Sequence, residues 1–214
     1  MQLGRAVGRV ALAVAAAFAA VAALTAAFLA PPVVHLFLDL SGAAGSLGVT
    51  AEEAHRLSDA LVADLLVGGR FAVSTEGVPL LDAGERAHLG DVGALVRQVL
   101  LAGLLSAVVL LLARRRSGGE RVARALADGA ALIAGGATLV GLAFAVAFDA
   151  TFAFAHSLVF ADGTWRFDPT TSGLVRLYPT PFWIAVALSF CGGLVVIALL
   201  ARRALRHRGA RGPR

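Results

Sequence analysis

The stretch FWIAVALSFCGGLVVIALLA, residues 182–201, decides the fold. It opens behind Pro181, closes on Arg202-Arg203, and holds no charged side chain in between. A helix rises about 1.5 Å per residue, so a run of this length covers the roughly 30 Å of a bilayer's hydrocarbon core. Lipid offers no water to an open backbone, so the segment must cross as a helix. Three other runs read the same way. Residues 10–30 end at Pro31-Pro32, and residues 96–113 end at Arg114-Arg115-Arg116. Residues 122–148 carry Asp128 near their start, one turn from Arg124 and placed to pair with it. The first run is too long for the apolar core of a signal peptide and has no good small-residue cleavage site, so it reads as an uncleaved anchor.

The whole chain agrees. Of 214 residues, 58% are hydrophobic and 15% charged, against about 25% charged in an ordinary soluble domain. The net charge of +5 comes entirely from arginine, since the chain has no lysine. These arginines flank the apolar runs, which makes them an orientation signal and excludes a nucleic-acid surface. The single Cys191 lies within an apolar run, so no disulfide framework forms within the chain. One early intramembrane carboxylate, Asp128, is too little for an ion or proton pathway.

Thirteen of the 19 arginines fall in segments 1–9, 114–121 with the adjoining Arg124, and 202–214. The positive-inside rule places these segments and both termini in the cytoplasm, and residues 31–95 and 149–181 outside. The basic tail can touch anionic membrane lipid. The expected fold class is an all-α membrane protein, a four-transmembrane-helix bundle with a small extracellular α+β cap. Within 31–95, Thr50 and Glu53 form a capping box, and Ala54, Leu57, Leu61 and Leu65 recur at helical spacing up to Gly68-Gly69. Residues 70–81 read as a short hairpin around Ser74-Thr75-Glu76-Gly77. A polar helix begins near Gly84 and runs into the second span.

No phosphate-binding loop, zincin, nucleophile-elbow or dinucleotide motif is present. Of the five histidines, His207 reads as solvated in the tail, His35 as interfacial, and His55 as a solvated surface residue. His88 and His156 differ. Each lies beside a span at the same expected face, so the two rings can meet. Two imidazoles within roughly 10 Å can divide acid and base steps near neutral pH. Asp91, three residues after His88, shares its helical face and can orient that ring. Trp165, Phe167, Tyr178 and Trp183 gather outside, as an aromatic belt or as the wall of a lipid site.

Two blocks carry a resemblance. Phe71-Ala72-Val73-Ser74-Thr75-Glu76-Gly77-Val78-Pro79-Leu80 with Glu85-Arg86-Ala87-His88-Leu89-Gly90-Asp91-Val92 is one. Phe154, His156, Trp165, Asp168-Pro169, Tyr178-Pro179 and Phe182-Trp183 form the other. Together they resemble a bacterial four-span family that includes the lipoprotein intramolecular transacylase. The resemblance implies two catalytic histidines at the cap–membrane boundary, His88 and His156. It implies transfer of an acyl chain from the sn-2 ester of a diacylated lipoprotein to that protein's N-terminal cysteine amine, in the plasma membrane. On this reading His88 is the base, His156 supports the oxyanion and leaving group, and the four aromatics bind substrate. No cofactor or metal is required; a zinc site at His88, His156 and Asp91 would lack a fourth ligand. The rival class is a non-catalytic scaffold in which both histidines are dispensable.

The arginine bias makes a direct prediction. Reporter fusions at Ser117 and at Gly163 should report opposite sides of the membrane, and agreement between them defeats the topology.

Overall fold

The computed structural model describes residues 2–117 and 119–210. Arg211 and Arg214 of the basic tail, and the side chains of Arg5, Arg121, Arg206, His207 and Arg208, lie outside what is described. In chain order the elements are α1 (Gln2–Phe28), α2 (Pro31–Ser41), α3 (Ala43–Leu47), α4 (Ala51–Val67), β1 (Ser74–Thr75), β2 (Val78–Pro79), α5 (Ala83–Ser117), α6 (Gly119–Val146), α7 (Phe148–Val159), α8 (Gly173–Leu177) and α9 (Thr180–Ala210). Among the described residues four helical segments are long and apolar enough to cross a membrane: Ala6–Phe28, Ala83–Arg116, Val122–Val146 and Thr180–Ala204. Leu101, Leu104, Leu105 and Val108 on α5 lie exposed, and only lipid makes such a surface stable. The fold class is all-α, membrane-spanning, with very little sheet.

The chain divides into two compact units. One comprises Met1–Ala26, Val99–Leu142 and Ser189–Arg214. Its interior is built on small residues. A Cβ on Gly103 would lie 2.0 Å from the Cβ of Ala22, so glycine lets α5 and α1 approach closely, as small residues do between helices in lipid. Ala137, Cys191 and Leu194 form a buried cluster with Val21 and Leu24 against it. Asp128 accepts two hydrogen bonds from Arg9 of α1, at 2.5 and 2.9 Å. The carboxylate thus has a partner on another span, beyond the local pairing expected with Arg124.

The second unit comprises Ala27–Gln98 and Ala143–Leu188. Its core contains Leu38, Leu57, Leu61, Leu65, Phe71, Leu89, Leu177 and Phe182. The buried face of α4 is Ala54, Leu57, Leu61 and Leu65 with Ser58. Thr50 accepts from the Glu53 N–H at 3.2 Å, while the Glu53 carboxylate turns to Arg56 instead of closing the box. Gly68 ends the helix in the left-handed conformation at φ 79°, and Arg97 of α5 donates to the Leu65 carbonyl at 2.7 Å.

Pro31 and Pro32 stop α1 and also start α2, where their missing N–H groups cost nothing. The α2–α4 contact carries a cluster that the sequence reading missed. His35 and His55 stack at 4.0 Å, within 1° of parallel. His35 donates to Asp59 and His55 donates to Asp39, each at 2.8 Å. His55 is therefore paired rather than merely solvated. The hairpin is real but minimal. Ser74 pairs with Pro79 and Thr75 with Val78, and the turn is Glu76-Gly77, both at positive φ, as two-residue hairpins favour.

The helix that carries His88 is fixed at its start by a reciprocal capping box. Glu85 N–H donates to Asp82 at 2.8 Å, and Asp82 N–H donates to Glu85 at 2.7 Å. The other Glu85 oxygen accepts from the Ser172 hydroxyl and from the Leu174 N–H. Glu85 is 2% exposed. Gly173 makes this approach possible, since a Cβ there would lie 2.1 Å from the Leu80 carbonyl oxygen. Hydrogen bonds to a buried charge contribute about 1.5–3 kcal/mol each. Glu85→Ala should therefore destabilise the protein by about 2–4 kcal/mol, read as a lowered thermal midpoint in detergent; an unchanged midpoint would show that the carboxylate holds nothing.

Candidate active site

The six sequence-derived site positions outside Asp91 lie in the second unit, all buried or half-buried except the exposed Trp183, and the two histidines meet. His88 comes from the second turn of α5. His156 comes from α7, which starts afresh after α6 because Ala147 leaves helical geometry at φ −144° and ψ 65°. The two ring centroids are 6.2 Å apart. His88 is 7% exposed and His156 is half-buried.

Aromatic residues recur every fourth position along this part of the chain. Phe144 contacts Phe148 at 5.6 Å, Phe148 contacts Phe152 at 5.4 Å, and Phe152 lies against His156 at 3.9 Å. Phe160 continues the row, 5.4 Å from His156 and 4.8 Å from His88. Phe152 and Phe160 were absent from the sequence-derived site, although their spacing of four from His156 places them on its face. Trp165 packs on His156 at 4.9 Å and Phe167 lies 5.8 Å from His88. Trp183 reaches Phe152 at 6.1 Å.

Tyr178 joins this wall through Trp183, whose ring lies 6.1 Å from its own. Its hydroxyl shares a 2.8 Å hydrogen bond with Ser58 of α4, its ring packs on Phe182, and burial pushes its pKa up to about 12. It is a pin between α4 and the 172–182 segment. Asp91 is exposed, and Nδ1 of His88 is buried without a hydrogen-bond partner among the described residues. The His88 ring is thus held by packing against Phe160 and Phe167. A cavity of about 330 Å³ adjoins the site, lined by residues that include Asp82, Glu85, Phe167, Asp168 and Ser172. Phe167 is common to this cavity and to the His88 wall. Among the described residues, no three His, Cys, Asp or Glu side chains are placed to hold a metal ion.

His156 has a defined proton. Its Nδ1 lies 2.9 Å from the Phe152 carbonyl oxygen. A carbonyl only accepts, so Nδ1 donates, and a neutral ring leaves Nε2 with a free lone pair. Burial pushes the His156 pKa below its ordinary value of 6.5, with the Phe152 hydrogen bond opposing that shift. The ring is therefore neutral at pH 7.

A four-span, all-α membrane protein with paired histidines in an aromatic wall is the class these observations define. The chain belongs to the family described as lipoprotein intramolecular transacylase Lit, which it matches over residues 11–183. Its structure is similar to that of the membrane integral lipoprotein intramolecular transacylase Lit from Bacillus cereus, with a TM-score of 0.75 at 20% identity, covering 98% of this chain and 99% of that one. Two structures of that protein with one histidine mutated, to arginine or to alanine, match with a TM-score of 0.71 at 19% identity. They cover 96% of this chain, and 92% and 94% of theirs. At these identities the solved structures support the fold. No curated protein matches.

The histidine geometry predicts a titration. In ¹⁵N-histidine NMR, His156 should carry its proton on Nδ1 and titrate below pH 6.5. Its folded pKa lies below its unfolded one, so its stabilising contribution is complete above about pH 6.5 and is lost as pH falls through the folded value. A midpoint above 6.5, or an Nε2–H tautomer, would contradict the site.

Proposed function

We propose that the chain is a lipoprotein transacylase that moves the sn-2 acyl chain of a diacylglyceryl lipoprotein onto the α-amine of the same molecule's N-terminal cysteine. The observation that carries this reading is the 6.2 Å pairing of His88 and His156 within an aromatic wall, in a chain of the Lit family. With the arginine-rich segments in the cytoplasm, the site faces the outer side of the plasma membrane.

The reaction begins with attack of the neutral amine on the ester carbonyl carbon. The carbonyl π electrons move to oxygen, giving a tetrahedral oxyanion. His156 takes the amine proton at Nε2, the position its Phe152 hydrogen bond leaves open. This assigns the base role to His156 in place of His88. The carbon–oxygen bond to the glyceryl unit then breaks, and the proton is delivered to the departing oxygen, with His88 as donor or relay. The products are an amide and a free glyceryl hydroxyl on one molecule. Atoms balance without water or a second substrate, so the chemistry asks for no cofactor.

Because both reacting groups belong to one molecule, the principal task is to bring them together. Trp165, Phe167 and Trp183 confine the acyl chain and glyceryl unit, and Tyr178 fixes the segment that carries Trp183. The cavity behind Phe167, with Asp82 and Asp168 at its rim, suits the polar start of the peptide better than an acyl chain. Aromatic walls also exclude water, which would otherwise compete for the ester.

Purified protein given a synthetic diacylated lipopeptide should yield the lyso-form, seen by mass spectrometry of the N-terminal fragment. His88→Ala and His156→Ala should each lower the rate by roughly 10²–10⁴ while the protein stays folded in the membrane. Asp91→Asn should be nearly silent. Product that persists without both histidines rules out this site, and no product from folded wild type favours a scaffold.

A further inference from the structure

Three buried side-chain polar atoms have no hydrogen-bond partner among the described residues: Oγ1 of Thr75, Nδ1 of His88 and Nε1 of Trp165. Two of the three therefore belong to one site. A buried N–H without an acceptor is costly in a native fold and calls for an explanation, often a ligand it awaits. An indole nitrogen is a donor only. Solvent does not reach it here, and no carbonyl or carboxylate among the described residues satisfies it.

We propose that the Trp165 indole N–H is the oxyanion donor of the transfer reaction, and that Trp165 is a catalytic residue and not only a wall. This rests on the transacylase reading above. The ring packs on His156 with centroids 4.9 Å apart, so the donor and the base belong to one contact group. The guanidinium carbon of Arg166 lies 4.7 Å from the centre of the same ring. A cation over the π face draws electron density from the indole and strengthens its N–H as a donor. Base, donor and polarising cation therefore come from adjacent positions around one ring.

The step balances. When the amine attacks, the carbonyl oxygen gains the electron pair of the broken π bond and becomes an oxyanion. The indole donates a hydrogen bond to that oxygen without losing its proton. When the carbonyl re-forms, the pair returns, the bond to the glyceryl oxygen breaks, and that oxygen leaves with the proton first taken from the amine. An unpartnered donor in a water-poor site is worth most at this charge, because it needs no reorganisation to meet it.

The test replaces Trp165 with benzothienylalanine, which keeps the bicyclic shape and lacks the N–H, alongside Trp165→Phe. With the synthetic diacylated lipopeptide as probe, kcat should fall roughly 10²–10³-fold with KM little changed, as for loss of one oxyanion donor. Wild-type kcat in either folded variant overturns the proposal, and so does a raised KM with kcat unchanged, which would make the ring a wall alone. A second readout does not depend on turnover. On binding a phosphonate analogue of the sn-2 ester, the Trp165 indole proton should move downfield in the NMR spectrum, and an unmoved resonance also overturns it. If wild type makes no lyso-form product, the transacylase reading itself falls. If wild type is active and the isostere is equally active, only the donor role of Trp165 falls.

Discussion

Everything in the site depends on one buried carboxylate. Glu85 closes the capping box with Asp82 and so sets where α5 begins. His88 follows it by three residues, on the same face. The second oxygen of Glu85 is held by Ser172 and by the Leu174 N–H, which ends the loop bearing Trp165 and Phe167. One side chain therefore fixes the helix of the first histidine and the loop that walls both. A buried charge is stable only when it is met by donors, and here three hydrogen bonds reach the carboxylate from two stretches of chain nearly 90 residues apart, Asp82 beside it in sequence and Ser172 with Leu174 across from it.

Around that anchor the site is almost wholly aromatic, and this bears on its chemistry. The side chains of Phe152, Phe160, Trp165 and Phe167 supply no hydrogen-bond acceptor to the imidazole rings they touch. Among the described residues the polar contact made to His156 comes from a main-chain carbonyl, that of Phe152, which selects a tautomer without adding charge. Burial then favours the neutral ring. For the proposed transfer, a neutral imidazole with one open nitrogen can take the proton that the attacking amine gives up, and an aromatic wall limits water at the ester. The same dryness makes any unpaired donor there expensive until a substrate arrives.

Much of this was legible in the sequence, for reasons that can be named. Membrane spans need long apolar runs, and these stood out without any periodicity argument. The α4 helix carried its own cap and its own stripe, from Thr50 to Leu65. His88 and His156 could be singled out because both adjoin spans, though their approach to 6.2 Å is a tertiary fact. What escaped notice was long-range or double-valued. Pro31-Pro32 reads as a stop, yet it is also the first turn of α2. His35 and His55 look like independent surface residues until α2 and α4 pack and cross-pair them with Asp59 and Asp39. Tyr178 belongs with the aromatics by composition, but its hydroxyl finds Ser58, 120 residues away. The Asp82–Glu85 box was a local signal, and the Phe144-to-Phe160 spacing of four was another; both were readable from the sequence alone.

The two histidine-bearing helices solve the same problem differently. α5 runs unbroken for 35 residues, about 50 Å at 1.5 Å per residue, well beyond the roughly 30 Å that lipid requires. Its excess length is what holds His88, eight residues ahead of Val96. The other side uses a break. α6 ends at Val146 and α7 begins at Phe148, so the direction of the chain can change before His156 is reached. Across that break the Ala143 carbonyl keeps its helical bond from the Ala147 N–H and also accepts from the Thr151 hydroxyl, which ties the first turn of α7 to the end of α6. A continuous helix fixes distance from the apolar segment, whereas an interrupted one allows a ring to be aimed. The two rings that these helices deliver stand 6.2 Å apart, centroid to centroid.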